Sequence, residues 1–168
     1  MIKAKLIYLK DKQFFEKTSG MMRLIGKPIE TAKKLKERGF ELIHIIDVDA
    51  QRGTETNFDV YDKLTYIMNI ELECENEKFM HRMLEMNVRF VIQLPANIDL
   101  KKFSDKKRRL VGKLDAHYNG SVNDVYDLLI ENANSESVKK YSTLGRRILV
   151  YKKDFTKEME KFVFGVIE

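Results

Sequence analysis

Apolar positions along this chain alternate between short runs and helix-spaced faces. Leu6 to Leu9 form a first apolar run, and Gln13 to Lys17 can pair back on it as an extension. Gly20 to Lys27, with two glycines and a Met-Met pair, reads as a loop. Pro28 then stands where a helix accepts a first-turn proline. Ile29, Ala32 and Leu35 follow at helical spacing, and Gly39 stands where glycine ends a helix. Leu42 to Val48 is nearly continuously apolar and β-branched, as in a parallel strand covered on both faces.

The pattern repeats. Phe58, Tyr61, Leu64 and Ile67 mark a second helix, and Met68 to Leu72 a strand. Phe79, Met80, Met83 and Leu84 mark a third helix ending near Asn87, before a strand at Val88 to Ile92. Leu110 to Leu114 is a fifth strand. Asn123 to Leu144 reads as a longer helical region broken near 132–135. Ile148 to Tyr151 gives a sixth strand, and Phe162 to Ile167, after a short helix, a seventh. Such alternation predicts an α/β fold of parallel strands, TIM-barrel-like in its βα units. A full eight-unit barrel takes roughly 250 residues. This chain of 168 therefore predicts an incomplete or distorted barrel of about seven strands, forming one domain over 1–168. An imperfectly closed sheet leaves strand edges to cover. A second copy, or a terminal element such as the segment 155–168, is expected to cover them.

Composition narrows the chemistry. Lys and Arg number 31 against 26 Asp and Glu, a formal charge of +5 that permits acidic partners without demanding them. One cysteine, Cys74, forms no intramolecular disulfide, and three scattered histidines make no metal cage, so no metal and no cofactor are implied. No apolar run is long enough for a membrane helix and no leader pattern opens the chain, which gives a cytoplasmic expectation. The densest charge is at Lys101, Lys102, Lys106, Lys107, Arg108 and Arg109, a candidate polyanion patch. Charge runs are ordinarily solvated surface and no RNA-binding motif accompanies this one, so nucleic acid stands behind the other readings.

The stretch Gly39-Phe40-Glu41-Leu42-Ile43-His44-Ile45-Ile46-Asp47-Val48-Asp49-Ala50 resembles strand two of the histidine-biosynthesis barrels, ProFAR isomerase and the cyclase subunit of imidazole glycerol phosphate synthase. The similarity extends upstream through Pro28 to Leu35 and downstream to Gly53 and Asn57. Leu9 to Gln13 is similar to the segment after the family's strand one. Lys113-Leu114-Asp115-Ala116 is similar to its strand five, and Gly145 to Val150 to the approach to strand six.

The resemblance implies a general acid–base isomerase with carboxylates ending strands one and five. The first falls on Tyr8 here, the second on Asp115, and the strand-six threonine near Lys152. A phenol with pKa near ~10 does not replace a carboxylate at neutral pH. The family's glycine run after strand three is replaced by Glu71-Leu72-Glu73-Cys74-Glu75-Asn76, and its Gly-Ser pair after strand four by Leu94 and Pro95. Carboxylates repel a phosphate, and proline lacks the N–H that would bind one. The second phosphate site, on strands seven and eight, is expected to be mostly missing, with Gly165 a remnant.

The expectation is therefore a divergent, shortened relative without isomerase activity, acting as a non-catalytic binding or partner subunit. The alternative is an isomerase or lyase acting on a smaller phosphorylated metabolite through Asp115 with Asp47 or Asp49, while Asp49 and Asn57 bind ligand. Against function, Asp47 and Asp49 can also be read as a helix cap and a solvated carboxylate. His44 reads as a satisfied core histidine and His81 as exposed. Cys74, between Glu73 and Glu75, lacks the basic neighbour a nucleophile needs.

Overall fold

Ala4, Ile7 and Leu9 are buried along the first strand, β1 (Ile2–Lys10), which runs into a tight hairpin. In the computed structural model, which describes residues 1–168, this strand opens the first of two compact units, Ala4–Phe90. β2 (Gln13–Thr18) and β3 (Met21–Gly26) follow antiparallel. Both hairpin turns place two consecutive residues at positive φ: Asp11 and Lys12, then Ser19 and Gly20. That is the backbone a two-residue turn needs to match strand twist. The stretch read as a loop at 20–27 is thus largely β3, whose side chains are mostly exposed; without a buried face it carries no alternation to read.

α1 (Pro28–Glu37) begins on its proline, buries Ala32 and Leu35, and stops before Gly39 at φ +82°. β4 (Leu42–Asp47) lies parallel to β1, with Leu6 opposite His44 and Leu9 opposite Asp47. After a single turn, α2 (Val48–Gln51), comes α3 (Phe58–Leu64), which buries Phe58, Val60, Tyr61 and Leu64. β5 (Asn69–Glu73) pairs parallel with β4, giving the order β5-β4-β1-β2-β3. A 3₁₀ turn and α4 (Met80–Glu85) then bury Phe79, Met80, Met83 and Leu84 as apolar filling.

β6 (Arg89–Gln93) divides between this unit and the second, Met1–Lys3 with Val91–Glu168. In the second unit a 3₁₀ segment, Leu100–Arg109, leads into β7 (Leu110–Asp115). β8 (Asp127–Glu131), α5 (Ser135–Thr143), β9 (Arg147–Tyr151) and β10 (Gly165–Ile167) follow. β7, β8, β9 and β10 pair parallel in that order. Asn134 caps α5 reciprocally with Ser137. The bidentate Arg147–Asp127 bond, 2.8 Å in each arm, fixes the start of β9 against β8.

The fold is parallel-strand α/β of the TIM-barrel-like class. Its βα series holds eight strands, β1 and β4 to β10, not about seven. The missed strand is β8. Four of its five residues are buried, so no alternation marks it, and with Val122 and Val125 it imitates helical spacing. The strand entered at Gly145 is therefore the seventh of the series, and Lys152 follows the seventh strand rather than the sixth. Gly165 lies in the eighth. A Cβ there would come 2.5 Å from Ile2 Cγ1 and 2.8 Å from Leu149 Cδ2, so close packing accounts for the glycine. The edge of β10 is also met within the unit, because Ile2 N–H donates to Phe164 O at 2.8 Å.

Candidate functional site

The end of β4 carries the first cluster. Asp47 caps α2, its Oδ1 accepting Ala50 N–H at 2.9 Å. Asn57 Nδ2 donates to Asp47 Oδ1 and to Asp49 Oδ2, each at 2.9 Å, and Tyr61 hydroxyl donates to Asp47 Oδ2 at 2.8 Å. The same constellation holds the β1–β2 turn. Asp49 Oδ2 accepts Asp11 N–H at 2.8 Å, and Asn57 Oδ1 accepts Lys12 N–H at 2.7 Å. Asp47 and Asn57 are wholly buried and Asp49 nearly so.

Neither Asp11 nor Lys12 is glycine, so their positive φ is held at a steric cost. The bonds to Asp49 and Asn57 offset it. Burial raises the Asp47 carboxyl above its ordinary range against the pull of Ala50, Tyr61 and Asn57. Burial and the facing Asp47 push the Tyr61 phenol far up. The three residues singled out in the sequence are thus brought together, as a polar latch between a turn and two helices. Tyr61 and the Asp11–Lys12 turn were not singled out, although Tyr61 lies four residues beyond Asn57, on the same helical face.

β4 also carries one member of a buried ion cluster. His44 Nδ1 stands 2.5 Å from Glu71 Oε1, and His44 Nε2 2.8 Å from Glu73 Oε2. With both ring nitrogens facing carboxylates, the ring is an imidazolium, since only that form donates twice. Burial opposes the charge, but the two carboxylates outweigh it and raise the pKa to about 9. His44 is the satisfied core histidine the sequence indicates. Glu71 and Glu73 lie on β5, the third strand of the series, rather than in the loop after it, and answer that histidine; of the three carboxylates only Glu75 falls beyond the strand.

Where the resemblance places phosphate-binding loops, one backbone amide in each is already engaged. Asn76 N–H donates to Cys74 Sγ at 3.3 Å, and burial pushes the Cys74 thiol up to about 11. In the second unit, Leu94 N–H donates to Lys113 O at 2.8 Å, and the cis Leu94–Pro95 peptide offers no further donor.

Asp115 ends β7. Its Oδ2 accepts Asn132 Nδ2 at 2.9 Å and its Oδ1 accepts His117 N–H at 2.9 Å; these bonds, Asn132 first, hold its pKa below the ordinary value. It is a carboxylate at neutral pH, suited to accept a proton rather than to give one. Asn132, at φ +53° after the missed strand β8, was invisible while that segment read as helix. Tyr8, half-buried on β1 opposite Ile46, has the Lys17 ammonium 5.8 Å from its ring centre. The patch residues Lys101, Lys102 and Arg108 are exposed, and Lys106, Lys107 and Arg109 half-buried. No group of three or more His, Cys, Asp or Glu is arranged to hold a metal, and no helix is long and apolar enough to cross a membrane.

No family model matches the chain. A ProFAR isomerase of Nitrosopumilus maritimus is 32% identical over 94 residues, 52% of this chain and 37% of the relative. One from Methanocaldococcus jannaschii is 32% identical over 93 residues, 53% of this chain and 39% of the relative. This chain resembles the ProFAR isomerases. It spans less than two fifths of the length of the two relatives it matches.

Proposed function

We propose that this ProFAR-isomerase-like chain is a non-catalytic binding or partner subunit that keeps the βα scaffold without the isomerase chemistry. One observation carries the reading. Where the resemblance places the family's phosphate-binding Gly-Ser pair, Leu94 N–H is already given to Lys113 O and Pro95 has none to give. Neither of these two residues leaves a main-chain donor for a phosphate. The occupied amide of Asn76 and the commitment of Asp47 and Asn57 to internal bonds support the same reading.

The catalytic alternative, an isomerase or lyase acting on a smaller phosphorylated metabolite, rests on Asp115. Its ionised carboxylate, oriented by Asn132 and His117, has the state a general base requires. A thermal-shift screen of phosphorylated metabolites separates the two. The partner-subunit reading expects no stabilisation from any of them. A ligand that raises the melting temperature of the wild type but not of Asp115→Asn establishes the alternative.

A further inference from the structure

Between β6 and β7 the connection is a ten-residue 3₁₀ segment, Leu100–Arg109, kinked at Phe103. The backbone at Phe103 is non-helical, so two shorter 3₁₀ pieces meet there rather than one continuous run. The segment does little to cover the sheet: Leu100 is its only buried residue, whereas α4 buries Met80, Met83 and Leu84. What it carries is charge. Six of the nine residues from Lys101 to Arg109 are cationic, and Asp105 is the only acid among them.

The side chains of Lys101, Lys102, Lys106, Lys107 and Arg108 form no ion pair or hydrogen bond with the protein. Elsewhere cations do find acids, as in Lys12–Asp59, Arg82–Glu55 and Lys113–Glu131. Like charges spaced at about 2 Å of rise per residue repel one another. An external polyanion relieves that repulsion and releases counterions as it binds.

We propose that Leu100–Arg109 is a docking surface for the phosphodiester backbone of nucleic acid, engaged without base readout. The surface offers the other polyanionic partners less. A lipid surface would be held by charge alone, without insertion, because the only apolar side chain after Leu100 in the run, Phe103, is half-buried. An acidic protein partner packs around a desolvated apolar centre, and the run presents none. Phosphates require only Lys and Arg. The run has no Asn or Gln to read adenine and no exposed aromatic ring on which to stack a base, so its cations meet the backbone that every sequence shares.

Fluorescence anisotropy with a short labelled RNA duplex, titrated at several potassium chloride concentrations, tests this. Five neutralised phosphates give a log–log salt slope near −4.5, so doubling the salt weakens binding about 20-fold. Lys101→Ala with Lys102→Ala lowers that factor to about 6-fold, as does Lys106→Ala with Lys107→Ala. Lys33→Ala with Lys34→Ala on α1 leaves it unchanged. A duplex of scrambled sequence binds equally well. Circular dichroism confirms that each variant is folded; the exposed Lys101 and Lys102 pair serves if the half-buried pair is not. Three results overturn the proposal: no binding at low salt, a slope indifferent to both patch variants, or equal binding to phosphatidylserine vesicles or polyglutamate.

Discussion

Glu71 stands opposite His44 on neighbouring parallel strands, and its Oε1 lies 2.5 Å from His44 Nδ1 with both side chains fully buried. An imidazolium held between two carboxylates in an apolar sheet is stable only as a set. Breaking such a pair leaves an uncompensated charge, at a cost of roughly 3–5 kcal/mol. His44→Leu is therefore expected to lower the urea-unfolding free energy by about that amount. His44→Leu combined with Glu71→Leu should recover much of the loss. A double variant no more stable than the single one would show that the charges are not coupled.

The same cluster sets an alkaline limit. The pKa of His44 is raised to about 9 in the folded protein, against ~6.5 when unfolded. Its contribution is whole below the unfolded value and is lost as the pH rises through about 9. The loss is on the order of 3 kcal/mol. Because Tyr61 and Cys74 also have raised pKa values and add losses at higher pH, the informative quantity is a difference. The stability gap between wild type and His44→Gln, followed from neutral pH upward, is expected to close near pH 9.

Asn57 joins two carboxylates and a strained turn through one amide. Asn57→Ala leaves buried partners unsatisfied, at about 1–3 kcal/mol each. The global loss is expected to be about 3 kcal/mol. A more specific sign is faster hydrogen exchange at the Asp11 and Lys12 amides than at the Ala50 amide, which keeps its Asp47 acceptor. Equal acceleration at all three amides would show that the latch does not hold the turn.

Gly165→Ala is expected to destabilise by about 1–3 kcal/mol through overpacking, because the added methyl meets Ile2 and Leu149. Gly165→Ala should cost less in an Ile2→Ala background, which lacks the Cγ1 that the new methyl meets, as read from thermal melts.

How far the sequence could be read follows from where burial was one-sided. α1, with a proline at its start, Gly39 after its end and Ala32 and Leu35 between, was legible because each level of signal agreed. β8 was not, since burial on both faces erased its period, and with it went Asn132 and the numbering of the last two strands. β3 was hidden for the opposite reason, having almost no buried face. At the site, Asp47, Asp49, Asn57 and His44 could be named from the resemblance and local pattern. Their partners could not: Asp11 lies 38 residues from Asp49 and Glu71 lies 27 from His44, and only strand register brings them together.

Steady-state turnover of ProFAR by the purified protein bears on the proposed function at its root. No isomerisation above the uncatalysed rate is expected, and none that differs between wild type and Asp115→Asn. Turnover of about 1 per second or faster, abolished in Asp115→Asn, is incompatible with a non-catalytic subunit.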